Sequence, residues 1–285
     1  MSSKAEQIKE LLSRGTSEII PSRAMLEEAL NKNKKLTVYN GIDPTSPNLH
    51  VGHSAPLFLL KRFQNLGHNV VVVIGDFTSR IGDPSGKTSQ RKPLTKKEII
   101  KNYKTYKQQA GKILDFKREG NPAVIKFNSK WLSTLSLEDV VKLSSQVTVQ
   151  QMLKRDMFEK RIKEGNPIGL HEFLYPLMQG YDSVRLKTDV EVGGSDQLFN
   201  MIVGRDLVNS YLGKEKFVIT TKLLVDPNTG AKMSKSEGNS ISLEDSPADM
   251  YAKVMAFRDE LIGACFELST EVSLSEISKV MKSSR

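Results

Sequence analysis

Cysteine is nearly absent: Cys265 stands alone in 285 residues. One thiol excludes an internal disulfide and a cysteine-rich zinc cluster, and it suits a reducing compartment. Long apolar runs are missing as well. The longest, Val70 to Ile74, is far too short to span a bilayer. The opening Met1-Ser2-Ser3-Lys4 leads into polar residues without a secretory hydrophobic region. These absences point to the cytoplasm and away from membranes. Internal repeats and low-complexity tracts are lacking too. The remainder is 38% hydrophobic and 26% charged, as in an ordinary globular protein, with length for one large domain or one and a half.

Acidic residues are scarce in one place. Between Lys87 and Arg118 eleven Lys or Arg face only Glu98 and Asp115, so this segment alone carries the formal net charge of +9. Lys154, Arg155, Lys160 and Arg161 add a second basic group. Such a concentration favours a phosphate-rich partner, although a solvated helix face reads the same way.

Several elements can be placed from pattern. Lys35 to Gly41 reads as a strand, followed by an apolar helix from His53 to a stop at Gly67. Val70 to Gly75 is a β-branched run expected in a strand covered on both faces. Strand, helix and strand make a βαβ unit and predict a parallel α/β sheet. Thr95 and Glu98 form a capping box before a stripe from Ile99 to Leu114, which predicts one long helix. A second box at Thr148 and Gln151 starts another. Thr188 to Val192 reads as a strand leading to a helix that ends at Asn209. Phe217 to Val225 reads as the last strand, and Ser246-Pro247 opens a helix to about Leu268.

Two short patches carry chemistry. His50-Val51-Gly52-His53 lies at a helix start, where unpaired N–H groups and the helix dipole favour phosphate. Gly52 allows close approach to the backbone, and both imidazoles can donate to phosphate oxygens as charge develops. A metal pair is the competing reading, but no further His or Cys lies nearby. Lys232-Met233-Ser234-Lys235-Ser236 lies in a Gly- and Ser-rich loop, where two Lys could close over phosphates. Either patch alone passes as ordinary surface. Together, 182 positions apart, they can hold ATP from two sides. Gly41-Ile42-Asp43-Pro44-Thr45, just upstream of the first patch, strengthens that reading.

Ile81 to Thr88 looks like a P-loop but fails, because Gly82 and Gly86 are separated by three residues rather than four. Asp83 remains a carboxylate for a substrate ammonium, and Lys87 and Arg91 are candidate cations for ATP phosphates. In Tyr175-Pro-Leu-Met-Gln179-Gly-Tyr-Asp182, spacings of four and seven put three polar groups on one helix face. Tyr175, Gln179 and Asp83 would hold an α-ammonium. Asp182, with Tyr39 alongside, would receive a phenol. Gly193-Gly194 before Asp196-Gln197 suits a ribose. His68, His171, Cys265 and the only tryptophan, Trp131, read as structural.

These residues together resemble the bacterial-type tyrosyl-tRNA synthetases, class I aminoacyl-tRNA synthetases, over about Leu36 to Leu268. The tryptophan enzymes share the two ATP patches but would not show Tyr175, Gln179 and Asp182. The resemblance implies a Rossmann-like catalytic domain over 1–231 with a helical, dimer-forming insertion at about 92–180. It implies that 232–285 hold the mobile Lys-Met-Ser-Lys-Ser loop and the start of an α-helical anticodon-binding domain. It also implies Mg²⁺-dependent activation of L-tyrosine by ATP and transfer to the 3′ end of tRNA(Tyr) by a homodimer. The stripe from Ile99 to Leu114 and the segment from Trp131 to Leu143 hold more apolar residues than a thin insertion could bury, which predicts a two-fold dimer through this region. The ATP site would include Gly41, Asp43, Thr45, Gly52, Gly193, Asp196, Gln197 and Ser234, with His50, His53, Lys87, Arg91, Lys232 and Lys235 as catalytic groups. Glu237 departs from the apolar residue usual there, and family members continue beyond position 285. Another adenylyl-transferring enzyme of the superfamily would not need Asp182 at the pocket end, and a silent RNA-binding paralogue would be expected to have lost either the histidines or the lysines, whereas this chain keeps both.

Overall fold

In the computed structural model, residues 3–32, 34–85, 93–225 and 241–283 are described, with backbone alone for 156 and 157. Six strands form one sheet: β1 (Thr16–Ile20), β2 (Thr37–Ile42), β3 (Asn69–Ile74), β4 (Val124–Phe127), β5 (Val190–Gly194) and β6 (Phe217–Thr221). Their order is β1-β6-β5-β2-β3-β4, parallel except for β1, which pairs antiparallel with β6 at one edge. The order runs outward in opposite directions from β2 and β5. In a parallel sheet the crevice at such a reversal, beyond the strands' carboxyl ends, is where ligands bind.

The helices are α1 (Lys4–Ser13), α2 (Arg23–Asn31), α3 (Ser54–Asn65), α4 (Lys96–Tyr103), α5 (Tyr106–Ala110), α6 (Ser129–Leu132) and α7 (Leu137–Ser144). They continue as α8 (Val149–Leu153), α9 (Asp156–Lys163), α10 (Leu174–Leu186), α11 (Leu198–Leu212), α12 (Pro247–Met255), α13 (Asp259–Ser269) and α14 (Leu274–Ser283). Alternation along the strands divides the core. Val38, Val70, Val72, Val190 and Ile219 meet Leu57, Leu60 and Phe63 of α3 and Leu11 of α1. On the opposite face Tyr39, Val71 and Val73 meet Trp131, Leu132 and Met178. A further cluster joins α10 to α11 through Leu177, Val184, Val203 and Leu207. Strands buried on both faces need the continuous apolar run that β3 shows from Val70 to Ile74.

Four expectations are corrected. The helix expected over 95–114 breaks between Tyr103 and Tyr106. Buried polar groups wrap this stretch around the 44–49 loop: Asn102 donates to the Pro44 carbonyl, Tyr106 to Ser46 and Gln109 to Pro47. The stripe itself faces inward. Ile99, Tyr106, Ala110 and Leu114 are buried in this chain, so they do not form an outward dimer face. The stretch 92–180 is not wholly helical, because β4 extends the sheet edge beside β3. The helix expected over 247–268 breaks after Met255, where Phe257 turns in against Ala55, Leu224 and Leu268.

Both predicted capping boxes form. Glu98 accepts from the Thr95 N–H while its own N–H donates to the Thr95 hydroxyl, and Thr148 and Gln151 do the same. Helix α13 packs on α3 and is fixed by Arg14, which donates to the carbonyls of Phe266, Glu267 and Thr270. No helix among the described residues is long and apolar enough to cross a membrane.

Candidate active site

A cavity of about 560 Å³ opens at the carboxyl ends of β2, β3 and β5, where the strand order reverses. The candidate site residues Gly41, Asp43, Thr45, His50, Gly52, His53, Asp83, Tyr175, Gln179, Asp182, Gly193, Asp196 and Gln197 all line it. Lys87, Arg91, Lys232, Ser234 and Lys235 lie outside the described residues, as does Glu237. Leu223 and Leu224, ahead of residues 226–240 in the chain, line the cavity. The Ile241 carbonyl accepts from the Val51 N–H, and Ser242 pairs with His50.

Tyr39 is placed differently from expectation. It is fully buried and does not line the cavity, and its hydroxyl shares a 2.8 Å hydrogen bond with Ser183. Burial, together with Glu191 and Asp182 nearby, holds its pKa well above the usual phenol value.

The two histidines form a locked turn ahead of α3. The Gly52 N–H donates to His50 Nδ1 at 3.1 Å, and the His50 N–H donates to His53 Nδ1 at 3.2 Å. The ring centroids are 4.0 Å apart. An Nδ1 that accepts places the ring proton of a neutral imidazole on Nε2. Both rings are thereby set as Nε2–H donors at the cavity wall.

A continuous hydrogen-bond chain crosses the site. Tyr175 donates to Asp43 Oδ2 at 3.0 Å, and Thr78 donates to Asp43 Oδ1 at 2.7 Å. Asn128 donates to Thr78 Oγ1 at 3.1 Å and to Asp182 Oδ2 at 3.2 Å. Trp131 Nε1 donates to Asp182 Oδ1 at 2.7 Å. Gly75 makes the Asp43–Thr78 contact possible, because a Cβ there would lie 1.8 Å from Asp43 Oδ1. Burial raises the Asp182 pKa well above the ordinary aspartate value, and the bonds from Trp131 and Asn128 oppose that rise. Asp83 accepts from the Ser85 N–H and from Gln197 Nε2 at 2.7 Å.

The described walls carry Asp43, Asp83, Asp182, Glu191 and Asp196, Glu191 being balanced by the buried Lys216 behind it, and among the described lining residues there is no Lys or Arg. Such a field attracts a cation, as an amino acid's ammonium would require. Tyr175 and Asp182 stand about 10 Å apart along α10 at the helical rise per residue. They can address opposite ends of one elongated ligand.

The sequence reading did not include Asn128, Thr78 or Glu191, and it took Trp131 as packing. Asn128 follows β4, whose four residues give too short a pattern to detect. Glu191 had a usable signal: a charge between Val190 and Val192 in a strand buried on both faces needs a partner. Two basic residues counted as surface are instead buried. Arg161 pairs with Glu172 at 2.6 Å, while Arg155 donates to Ser85 and stacks on Phe199.

Comparison with known proteins agrees with this geometry. The family described as tRNA synthetases class I (W and Y) matches residues 31–285. The tyrosine–tRNA ligase of Carboxydothermus hydrogenoformans is 47% identical over 95% of this chain and 66% of its own length. That of Thermotoga maritima is 48% identical over 94% of this chain and 65% of its own length. The chain thus spans about two thirds of the length of these relatives. A C-terminally truncated mitochondrial tyrosyl-tRNA synthetase of Aspergillus nidulans has a TM-score of 0.81 at 25% identity, over 97% of this chain and 83% of that one. The tyrosyl-tRNA synthetase of Archaeoglobus fulgidus complexed with L-tyrosine gives 0.75 at 25% identity, over 93% and 80%. With the family's profile matched from residue 31 onward, the chain belongs to the class I tRNA synthetases of the W and Y group.

Proposed function

We propose that this chain is the catalytic part of a tyrosine–tRNA ligase. It activates L-tyrosine with ATP to tyrosyl-adenylate and pyrophosphate, then transfers the tyrosyl group to the 3′ end of tRNA(Tyr). The observation that carries this reading is Asp182, a carboxylate held by Trp131 and Asn128 at the cavity, seven residues along α10 from Tyr175. A phenol O–H or an indole N–H could donate to such a carboxylate, and the relatives named tyrosine–tRNA ligases, 47% and 48% identical, favour the phenol. Asp43, Asp83, Tyr175 and Gln179 would receive the ammonium. His50 and His53 would donate from Nε2 to ATP phosphates, and Asp196 and Gln197 would read the ribose. Lys87, Arg91, Lys232 and Lys235 would supply the cations that the described walls lack. Mg²⁺ would enter on the ATP phosphates and water, the habit of that ion. The described residues hold no group of three or more potential metal ligands.

Two partners follow. Exposed Lys96, Lys97, Lys101, Lys104 and Lys107 offer a basic surface to tRNA, with a salt-dependent affinity. Leu137 and Val141, four apart on α7 and 80% and 62% exposed, support a two-fold dimer through the insertion. Residues 1–231 form the catalytic domain in this reading, and 232–285 the loop and the first helices of the anticodon-binding region. Pyrophosphate exchange with each amino acid in turn tests the proposal. Exchange with tyrosine alone is expected, and exchange with another amino acid in its place would overturn it.

A further inference from the structure

Glu191 of the cavity wall belongs to a buried ion pair with Lys216. Lys216, fully buried at the start of β6, donates to Glu191 Oε2, to Ser183 Oγ at 2.9 Å and to the Met201 carbonyl at 3.1 Å. All three ammonium hydrogens are occupied. Glu191 Oε2 also accepts from Ser183 at 3.2 Å, and Glu191 Oε1 accepts from Gln179 Nε2 at 3.1 Å. Helix α11 leaves room for this pair at Gly204, where a Cβ would lie 2.6 Å from Lys216 Nζ and 3.2 Å from Glu191 Oε2. A buried pair is poor support for stability, since its desolvation offsets most of its attraction. What it does here is fix directions.

A carboxylate can only accept, so the Gln179 amide must turn its NH₂ to Glu191 and leave its carbonyl oxygen directed elsewhere. Gln179 lines the cavity, and an oxygen is the atom an ammonium needs. The same reasoning settles Ser183. Its oxygen accepts from Lys216, which can only donate, and its single proton goes to Glu191. Its remaining lone pair must accept from Tyr39, which is Glu191's neighbour in strand register. The Tyr39 proton is therefore committed to Ser183.

We propose that Glu191, paired with Lys216, is a positioning residue for amino-acid recognition: it turns the Gln179 carbonyl toward the substrate ammonium. This rests on tyrosine being the substrate. A glutamine at 191 could donate as well as accept, so the Gln179 amide would no longer have one enforced orientation.

The test uses the 285-residue chain, with Glu191→Gln and the double variant Glu191→Gln/Lys216→Met, which removes the then unpaired cation. Tyrosine KM in pyrophosphate exchange and tyrosine Kd by equilibrium dialysis should rise about tenfold to thirtyfold, on the scale of one hydrogen bond to a charged group. ATP KM and kcat should stay within about threefold, as expected when binding rather than transition-state contact is lost. Inhibition by 3-(4-hydroxyphenyl)propionate, which lacks the ammonium, should not change. A merely structural role would weaken both ligands together and lower the melting temperature of the double variant. Equal losses for tyrosine and its des-amino analogue, or a tyrosine KM within threefold of wild type, would overturn the proposal. If the unmodified chain shows no exchange with tyrosine, the substrate reading falls first and this proposal with it.

Discussion

Replacing Asp182 by Asn probes the site most directly, because the environment of this carboxylate is so fully specified. It is 4% exposed, with Trp131 donating to Oδ1 and Asn128 to Oδ2. An asparagine has one acceptor oxygen for these two donors. The shorter bond, 2.7 Å from Trp131, should keep it. The amide NH₂ then faces Asn128 and the cavity, where a tyrosine phenol needs an acceptor. Losing a hydrogen bond to a charged group removes about 1.5–3 kcal/mol, and leaving the phenol unpaired adds about 1–3 kcal/mol. About 3–4 kcal/mol in total corresponds to a few hundredfold in kcat/KM for tyrosine. Phenylalanine makes no such bond and should lose little, so the tyrosine preference should fall by nearly the same factor. Exchange assays with both amino acids, alongside ATP KM as the control, measure this. A tyrosine-to-phenylalanine ratio within threefold of wild type would exclude Asp182 from phenol recognition. The pH dependence gives a second check. Burial raises the folded pKa of Asp182, so between 3.8 and that raised value the folded state holds a proton that the unfolded chain has released. Its contribution to stability is full below 3.8 and is lost as pH rises through the folded pKa, a slope the Asn variant should lack.

Three further outcomes are expected. Burial lowers the pKa of His68 below its ordinary 6.5, and its Nδ1 accepts from the Leu36 N–H, so stability should be full above 6.5 and fall as pH drops toward the folded pKa. Urea titrations at several pH values should show this slope in wild type and not in His68→Gln, and equal slopes would disprove it. Burial pushes the Cys265 thiol up to about 11, leaving about one thiolate in a thousand at pH 8. A disulfide reagent should therefore react slowly with the native chain and quickly after denaturation, whereas complete native labelling within seconds would contradict the burial. Arg14→Met should expose three carbonyls at the end of α13 and destabilise its docking by about 2–4 kcal/mol. Faster hydrogen exchange over 259–269 is the expected readout, and unchanged protection there would show that Arg14 does not hold the helix.

The legible parts of the fold were those in which one local signal and the tertiary environment agree. The Val70–Ile74 run reads as a doubly covered strand, and β3 is one. The same logic failed where the partner was remote. β4 has four residues of mixed burial and exists because β3 offers it an edge. The break between α4 and α5 is invisible to periodicity, because the apolar stripe runs straight across it. What bends the chain there is the set of amide and phenol groups of Asn102, Tyr106 and Gln109, which seek carbonyls in the 44–49 loop. Burying those carbonyls without partners would cost about 1–3 kcal/mol each, more than the helical residues lost at the break can return.

The candidate site divides along the same line. Residues that would touch substrate come in short runs whose spacing has a chemical meaning, such as Tyr175, Gln179 and Asp182 on α10. Residues that would orient them are scattered, because orientation is imposed by whichever element packs behind. Asn128 comes from the end of β4, Trp131 from α6, Glu191 from β5 and Lys216 from the start of β6. Each is polar and buried, and each must find its partner far along the chain, since an unsatisfied charge or donor at that depth costs more than a surface pair ever returns. Glu191 shows the consequence. Its sequence neighbours say only that it is buried, and register places it beside Tyr39 on one strand and Val218 on the next. A carboxylate there can be tolerated only because Lys216 reaches it from the same strand end and Gly204 leaves the space. The polarity of Gln179 and Tyr39 thus depends on residues that no short motif contains, and a substitution at Gly204 should disturb recognition although the glycine does not line the cavity.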